Sequence, residues 1–167
     1  MVLRCLALGA LLALVTVPVE AQRRPAARPA ARATVGYRPR VGAHLGYNFD
    51  VKEGLAGAQA AFPVAPAFDL YPSFDLFFVS GGSLWALNFD ARYRPPMRAA
   101  VAYFGGGLNY LRASAGGFSG SDTNLNLFGG FESNRMRNVA PYIEGRFTLG
   151  NGSSFQIVGG VSWKLRG

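Results

Sequence analysis

Cysteine is almost absent from these 167 residues, and the single one, Cys5, opens an apolar run. That run, Cys5 to Val19 behind Arg4, has the layout of a secretory signal over residues 1–21, with cleavage expected after Ala21. A chain cut there keeps no thiol for a disulfide, a metal or a nucleophile. Cys5 also precedes the apolar run, so it is not a lipid-attachment cysteine. Histidine is as scarce, since His44 stands alone. One imidazole without cysteine makes no zinc site, and no serine lies beside it in sequence to build an acyl-transfer triad. No catalytic residue, metal or cofactor is therefore expected. Beyond the signal no apolar run approaches the roughly 18 residues of a membrane-crossing helix. No segment keeps a period of about 3.6 residues, which excludes a helical bundle and a parallel α/β sheet. Gly105-Gly-Gly107 has neither a following helix nor a lysine, so it is not a phosphate loop; its glycines suit strand bending and close packing. Charge is thin as well. Charged residues make up 16% of the chain, against roughly 25–35% on an ordinary soluble surface.

What charge there is falls unevenly. Of the formal +8, six arginines sit in the segment 22–40, which is otherwise rich in Ala and Pro and cannot bury a core. A disordered arm is expected there. From Val41 onward ten Lys/Arg face eight Asp/Glu, close to neutral. A basic tail on a nearly neutral body is not the charge layout of a nucleic-acid-binding domain, which spreads positive charge over a folded face.

The rest, 41–167, alternates with period two between turn residues. The closing run shows it best: Phe155, Ile157, Gly159, Val161, Trp163 and Leu165 share one face, Gln156, Gly160, Ser162 and Lys164 the other, with Val158 as the exception. Eight strands are expected, namely Val41–Phe49, Gly54–Phe62, Phe68–Phe78, Ser83–Arg94, Ala99–Arg112, Thr123–Glu132, Pro141–Leu149 and Phe155–Leu165. Turns are expected at Asp50–Glu53, Pro63–Ala67, Val79–Gly82, Arg94–Arg98, Asn134–Asn138 and Gly150–Ser153, with a long loop at Ala113–Asp122. Pro72 lies inside the third strand, where its missing N–H predicts a bulge or a local break.

One face of these strands collects the bulky apolar side chains. The other collects Asp69, Asp75, Asp90, Arg92, Glu132, Glu144, Arg146 and Lys164, five acids and three bases. Eight strands enclose a lumen just filled by side chains, and the apolar set is too large for it. Trp85, Tyr93, Tyr110, Tyr47 and Trp163 fall near strand ends, where aromatic girdles sit in membrane barrels. The expected fold is therefore all-β, an eight-stranded antiparallel up-and-down transmembrane β-barrel with its charged residues inside as an ion-paired cluster.

Val41–Tyr47, Leu55–Gln59, Leu70–Phe74, Asn88–Tyr93, Gly105–Tyr110, Pro141–Gly145 and Gly159–Trp163 together resemble the outer-membrane protein β-barrel domain family, the small eight-stranded class related to the OmpA transmembrane domain. The resemblance covers Arg40 to Leu165. It implies location in the outer membrane, with lipid and the barrel-assembly machinery as partners, and no reaction. That machinery reads a terminal aromatic residue, and here Trp163 and Leu165 stand nearest to that place. A monomer with a structural or interaction role is expected; the alternatives are a narrow pore and a soluble periplasmic lipocalin-like barrel with the apolar face inward. An even strand count puts both termini on the periplasmic side. Phe118, in the long loop, is then the candidate exposed contact.

Overall fold

The computed structural model describes residues 38–95, 100–133, 135–136 and 138–165. The expected signal and the arm up to residue 37 lie outside them. Eight strands follow in order: β1 (Arg40–Asn48), β2 (Glu53–Ala65), β3 (Phe68–Phe77), β4 (Gly82–Tyr93), β5 (Ala100–Ala115), β6 (Phe118–Ser133), β7 (Val139–Leu149) and β8 (Ser154–Lys164). Each pairs antiparallel with the next, and β8 returns to β1 in the register Arg40↔Lys164 to Asn48↔Gln156. Closure removes every edge within the shared barrel height, so each backbone N–H and C=O there has a neighbour to pair with.

The period-two pattern decides which way the sheet is rolled. Along β3 the exposed residues Phe68, Leu70, Phe74 and Leu76 alternate with the buried Asp69, Tyr71, Ser73, Asp75 and Phe77. On β6, Leu125, Leu127 and Phe131 stand outside while Asn124, Asn126, Phe128 and Glu132 are inside. Apolar groups thus cover the exterior, with Leu45 67% and Phe131 62% exposed, and carboxylates fill the interior, with Asp69 and Asp90 each 1% exposed. A soluble lipocalin-like barrel needs the opposite arrangement.

Aromatic residues frame the apolar exterior. Near the β1–β2 turn Tyr47, Phe49, Phe155 and Phe147 form a chain of rings, and Trp85 packs on Tyr110 at 5.8 Å. At the other end Tyr93 lies between Phe68 and Phe104, with ring centroids at 5.0 and 5.3 Å. The eight residue steps from Trp85 to Tyr93 run roughly 26 Å along the strand, or roughly 20 Å along the barrel axis at a tilt of about 40°.

The structure revises several expected boundaries. β2 runs on through Pro63 to Ala65, with a register shift between them, and turns at Pro66 and Ala67. Pro63 is tolerated because it sits at that irregularity. Opposite Pro72 the β2 ladder skips Ala60 and Ala61, yet the register is the same on both sides, so the proline makes a local break and no bulge. The ladder from β3 to β4 is continuous through Pro72↔Phe89.

The largest revision is at Ala113–Asp122, which is no loop. β5 and β6 stay paired from Ala100↔Ser133 to Ala115↔Phe118 and turn through Gly116 and Gly117 alone, at φ 57° and 86°. Two successive positive φ values make the tight hairpin turn that matches strand twist, and only glycine adopts them without cost. β6 meets β7 only from Leu125↔Leu149 onward, so the hairpin rises past the barrel mouth with residues 118–124 unpaired on their β7 side.

Candidate functional site: the polar lumen and its mouth

Three layers of polar side chains fill the lumen. Nearest the chain termini, Asp69 accepts hydrogen bonds from Arg92 Nε at 3.1 Å and Nη2 at 2.8 Å, and from Arg94 Nη2 at 2.9 Å. Glu132 takes Arg40 and lies 3.7 Å from Arg92 Nη1. The Arg92 guanidinium also lies over two rings, 4.3 Å from the Tyr71 centroid and 5.0 Å from that of Tyr103. Such stacking suits a guanidinium better than an ammonium, because it is planar and weakly hydrated.

The middle layer centres on Arg146. It donates to Glu144 Oε1 at 2.9 Å, reaches Asp90 Oδ2 at 3.2 Å, and lies 5.0 Å from the Phe128 ring. Across the lumen His44 Nε2 lies 2.6 Å from Asp75 Oδ1, and its Nδ1 is 3.2 Å from Gln59 Oε1, which also accepts from Tyr142. Gly57 makes room for this pair, since a Cβ there would strike His44 Nε2 and come within 2.6 Å of Asp75 Oδ1. Both imidazole nitrogens are engaged, one by a carboxylate and one by an amide oxygen, and neither partner is a serine or threonine nucleophile. Among the described residues, no three of His, Cys, Asp and Glu converge to hold a metal.

The third layer is a ladder of amides. Asn109 and Asn126 both donate to Asn88 Oδ1 at 2.8 Å, Asn124 donates to Asn109 at 3.3 Å, and Thr148 donates to Asn126 at 3.1 Å. Asn88 in turn donates to Ser73 and Asp75, each at 3.0 Å, which ties this layer to the one below. Above it the lumen opens into a vestibule of about 320 Å³.

Of the residues singled out from sequence, Asp69, Arg92 and Glu132 meet in one layer and Asp90, Glu144 and Arg146 in the next, while Asp75 joins His44. Lys164 does not join them. It is the last residue of β8, half-exposed at the rim, directly opposite Arg40, and among the described residues it has no carboxylate within 4.0 Å. Arg40 holds Glu132, and a like charge beside it leaves Lys164 facing water. Two partners were missed from sequence. The expected arm at 22–40 takes in Arg40, and Arg94 stands where the expected fourth strand meets the expected turn; both continue the inward parity, of Gly42, His44 and Gly46 on β1 and of Asn88, Asp90 and Arg92 on β4. Phe118 is 85% exposed at the hairpin tip.

No protein-family model matches this sequence, and no curated protein matches it by sequence. Solved structures do match in three dimensions. The N-terminal β-barrel domain of Pseudomonas aeruginosa OprF superposes with a TM-score of 0.66 at 15% identity, covering 77% of this chain and 98% of that one. The fold is that of the small eight-stranded outer-membrane barrels. Neisserial surface protein A gives a TM-score of 0.60 at 14% identity, over 76% of this chain and 96% of its own. The attachment invasion locus protein Ail of Yersinia pestis gives 0.56 at 14%, over 77% and 97%. At these identities the likeness to outer-membrane barrels carries the fold and no activity.

Proposed function

We propose that this chain is an integral outer-membrane β-barrel protein, monomeric, with a structural or interaction role and no catalytic activity. The observation that carries this reading is the inverted polarity, with charges ion-paired in the lumen and large apolar side chains facing out. In water such an exterior is a continuous aggregation surface; in lipid it is the solvent-matched face. The roughly 20 Å between the aromatic girdles fits an apolar band of about 25 Å within the reach of bilayer thinning. Lipid is then the principal partner, with the barrel-assembly machinery acting during insertion.

A pore is the weaker reading. Eight strands leave no wide channel, and the Asp69–Arg92–Glu132 and Glu144–Arg146–Asp90 layers lie across the lumen below the vestibule. Both termini and the Pro66–Ala67 turn are assigned to the periplasm, so the β5–β6 hairpin projects outside. Its tip, Phe118, is the contact point of any interaction role.

Membrane fractions test the reading. The protein should resist urea wash, leave the membrane only with detergent, and migrate faster unboiled than boiled. In planar bilayers it should give no conductance steps. Release by salt or urea would sink the membrane assignment, and reproducible steps would restore the pore.

A further inference from the structure

The vestibule is divided by strand order. Its wall from β3 through β5 is apolar towards the mouth, where Phe77, Leu84, Ala86 and Leu111 line it, and polar only at the floor, where Asp75, Asn88 and Asn109 stand. Its wall from β6 round to β1 is polar and carries Asn124, Gln156 and Asn48. Each of those three amides has one half occupied. Asn48 Oδ1 accepts the backbone N–H groups of Asp50 and Val51 at 3.0 and 3.2 Å, which leaves its NH₂. Gln156 directs its NH₂ at Asp75 and Asn124 directs its NH₂ at Asn109, which leaves two carbonyl oxygens.

We propose that this vestibule binds one neutral sugar unit, with the pyranose C–H face on the Phe77 side and its hydroxyls on the amides. This goes beyond the function proposed above, because a barrel that bound no sugar would still be an integral membrane protein. A volume of about 320 Å³ is at the lower end of ligand pockets, roughly 300–1,000 Å³, and suits a ring or two. Hydroxyls donate and accept at once, so they satisfy one spare donor and two spare acceptors together, while a wholly apolar guest would leave the spare half of each amide unpaired. Charge selects against anions. Asp50 and Asp122 line the mouth and Asp75 the depth, and the cation among them, Arg146, is already engaged by Glu144 and Asp90. A metal cation is disfavoured in turn because Asp50, Asp75 and Asp122 do not converge: among the described residues no three of His, Cys, Asp and Glu come together as a ligand set.

The sugar can come from solution or from the headgroup of a neutral glycolipid, and one experiment separates the two. With the full mature chain in phospholipid nanodiscs, the side-chain amide NMR signals of Asn48, Asn124 and Gln156 are followed during titration with methyl β-glucoside, methyl β-galactoside and glucose 6-phosphate. Saturable shifts with a neutral glycoside, at least about ten-fold weaker with the phosphate, support the proposal and a soluble source. The same shifts only when a glucosyl lipid is placed in the nanodisc support it with a membrane source. Ser154→Trp, which fills the mouth from the end of β8, should abolish them, and Gln156→Leu should weaken them. Unboiled gel migration checks that each variant is folded. The proposal is overturned if no neutral sugar or glycolipid gives saturable shifts, if calcium chloride alone gives them, or if folded Ser154→Trp keeps them.

Discussion

Phe89 lies four residues from Trp85 and four from Tyr93, midway between the two aromatic girdles, and is 59% exposed. In a bilayer that places its side chain roughly 10 Å from either interface, at the depth where water is scarcest. Phe89→Arg should therefore destabilise the inserted barrel by about 2–4 kcal/mol. Phe68→Arg, on the same outer face but beside Tyr93 in the register Phe68↔Tyr93, should cost about 0–1 kcal/mol, because a long side chain there reaches the headgroups. The inward neighbour supplies the control. Asn88 is 1% exposed and joins four side chains, donating to Ser73 and Asp75 and accepting from Asn109 and Asn126. Asn88→Leu keeps the volume but strands those partners, for a loss of about 1–3 kcal/mol. The assay is reversible urea unfolding from phospholipid vesicles, read by the fluorescence of Trp85 and Trp163. The reasoning fails if Phe89→Arg and Phe68→Arg cost the same, or if Phe89→Arg is neutral, since a water-facing exterior has no depth dependence.

Asp69→Asn leaves Arg92 and Arg94 without their shared carboxylate in a buried layer; a loss of about 3–5 kcal/mol is expected in the same unfolding assay, partly recovered by adding Arg92→Met. Gly57→Val should push His44 off Asp75, costing about 1–3 kcal/mol, and it should shift the His44 ring NMR signals where Gly120→Val on the hairpin leaves them unchanged. Replacing Ala113–Gly120 by Asn-Gly shortens the hairpin at the paired positions Arg112↔Ser121. It also removes the β4 pairs from Leu84↔Ala113 to Gly82↔Ala115 and the Ser83–Ser114 hydrogen bond, so the barrel should still fold but with a somewhat lower urea midpoint, while any partner capture or adhesion that depends on Phe118 is lost.

How far the sequence alone reached follows from what kind of signal each feature leaves. Strand number and facing were legible because a closed sheet with unlike solvents on its two sides forces period-two alternation on every strand, and β3 and β6 obey it almost without exception. Ends were less legible. The hairpin past the mouth is solvated on both faces, so Ser119, Gly120, Ser121 and Asp122 carry no alternation and read as loop, although their backbone is paired. Arg40 and Arg94 are hidden for a related reason: composition suggests an arm at Arg40, and Arg94 is where the expected fourth strand gives way to a turn, while parity points inward at both. The inward aromatics Tyr71, Tyr103 and Phe128 left a weaker mark still. Large apolar residues were expected outside, and only the neighbouring Gly105 and Gly130, whose added Cβ atoms would strike Phe128 and Tyr103, signal that rings occupy the lumen.

Since Cys5 is the only cysteine and lies in the expected signal, single cysteines can be introduced one at a time along β6 from Thr123 to Ser133 and spin-labelled in vesicles. Collision rates with oxygen, which dissolves in lipid, should oscillate with period two, high at Leu125, Leu127, Gly129 and Phe131 and low at Asn124, Asn126, Phe128 and Glu132. If the odd positions instead collided with a water-soluble nickel complex along the whole strand, the barrel would stand in water and the account would be wrong.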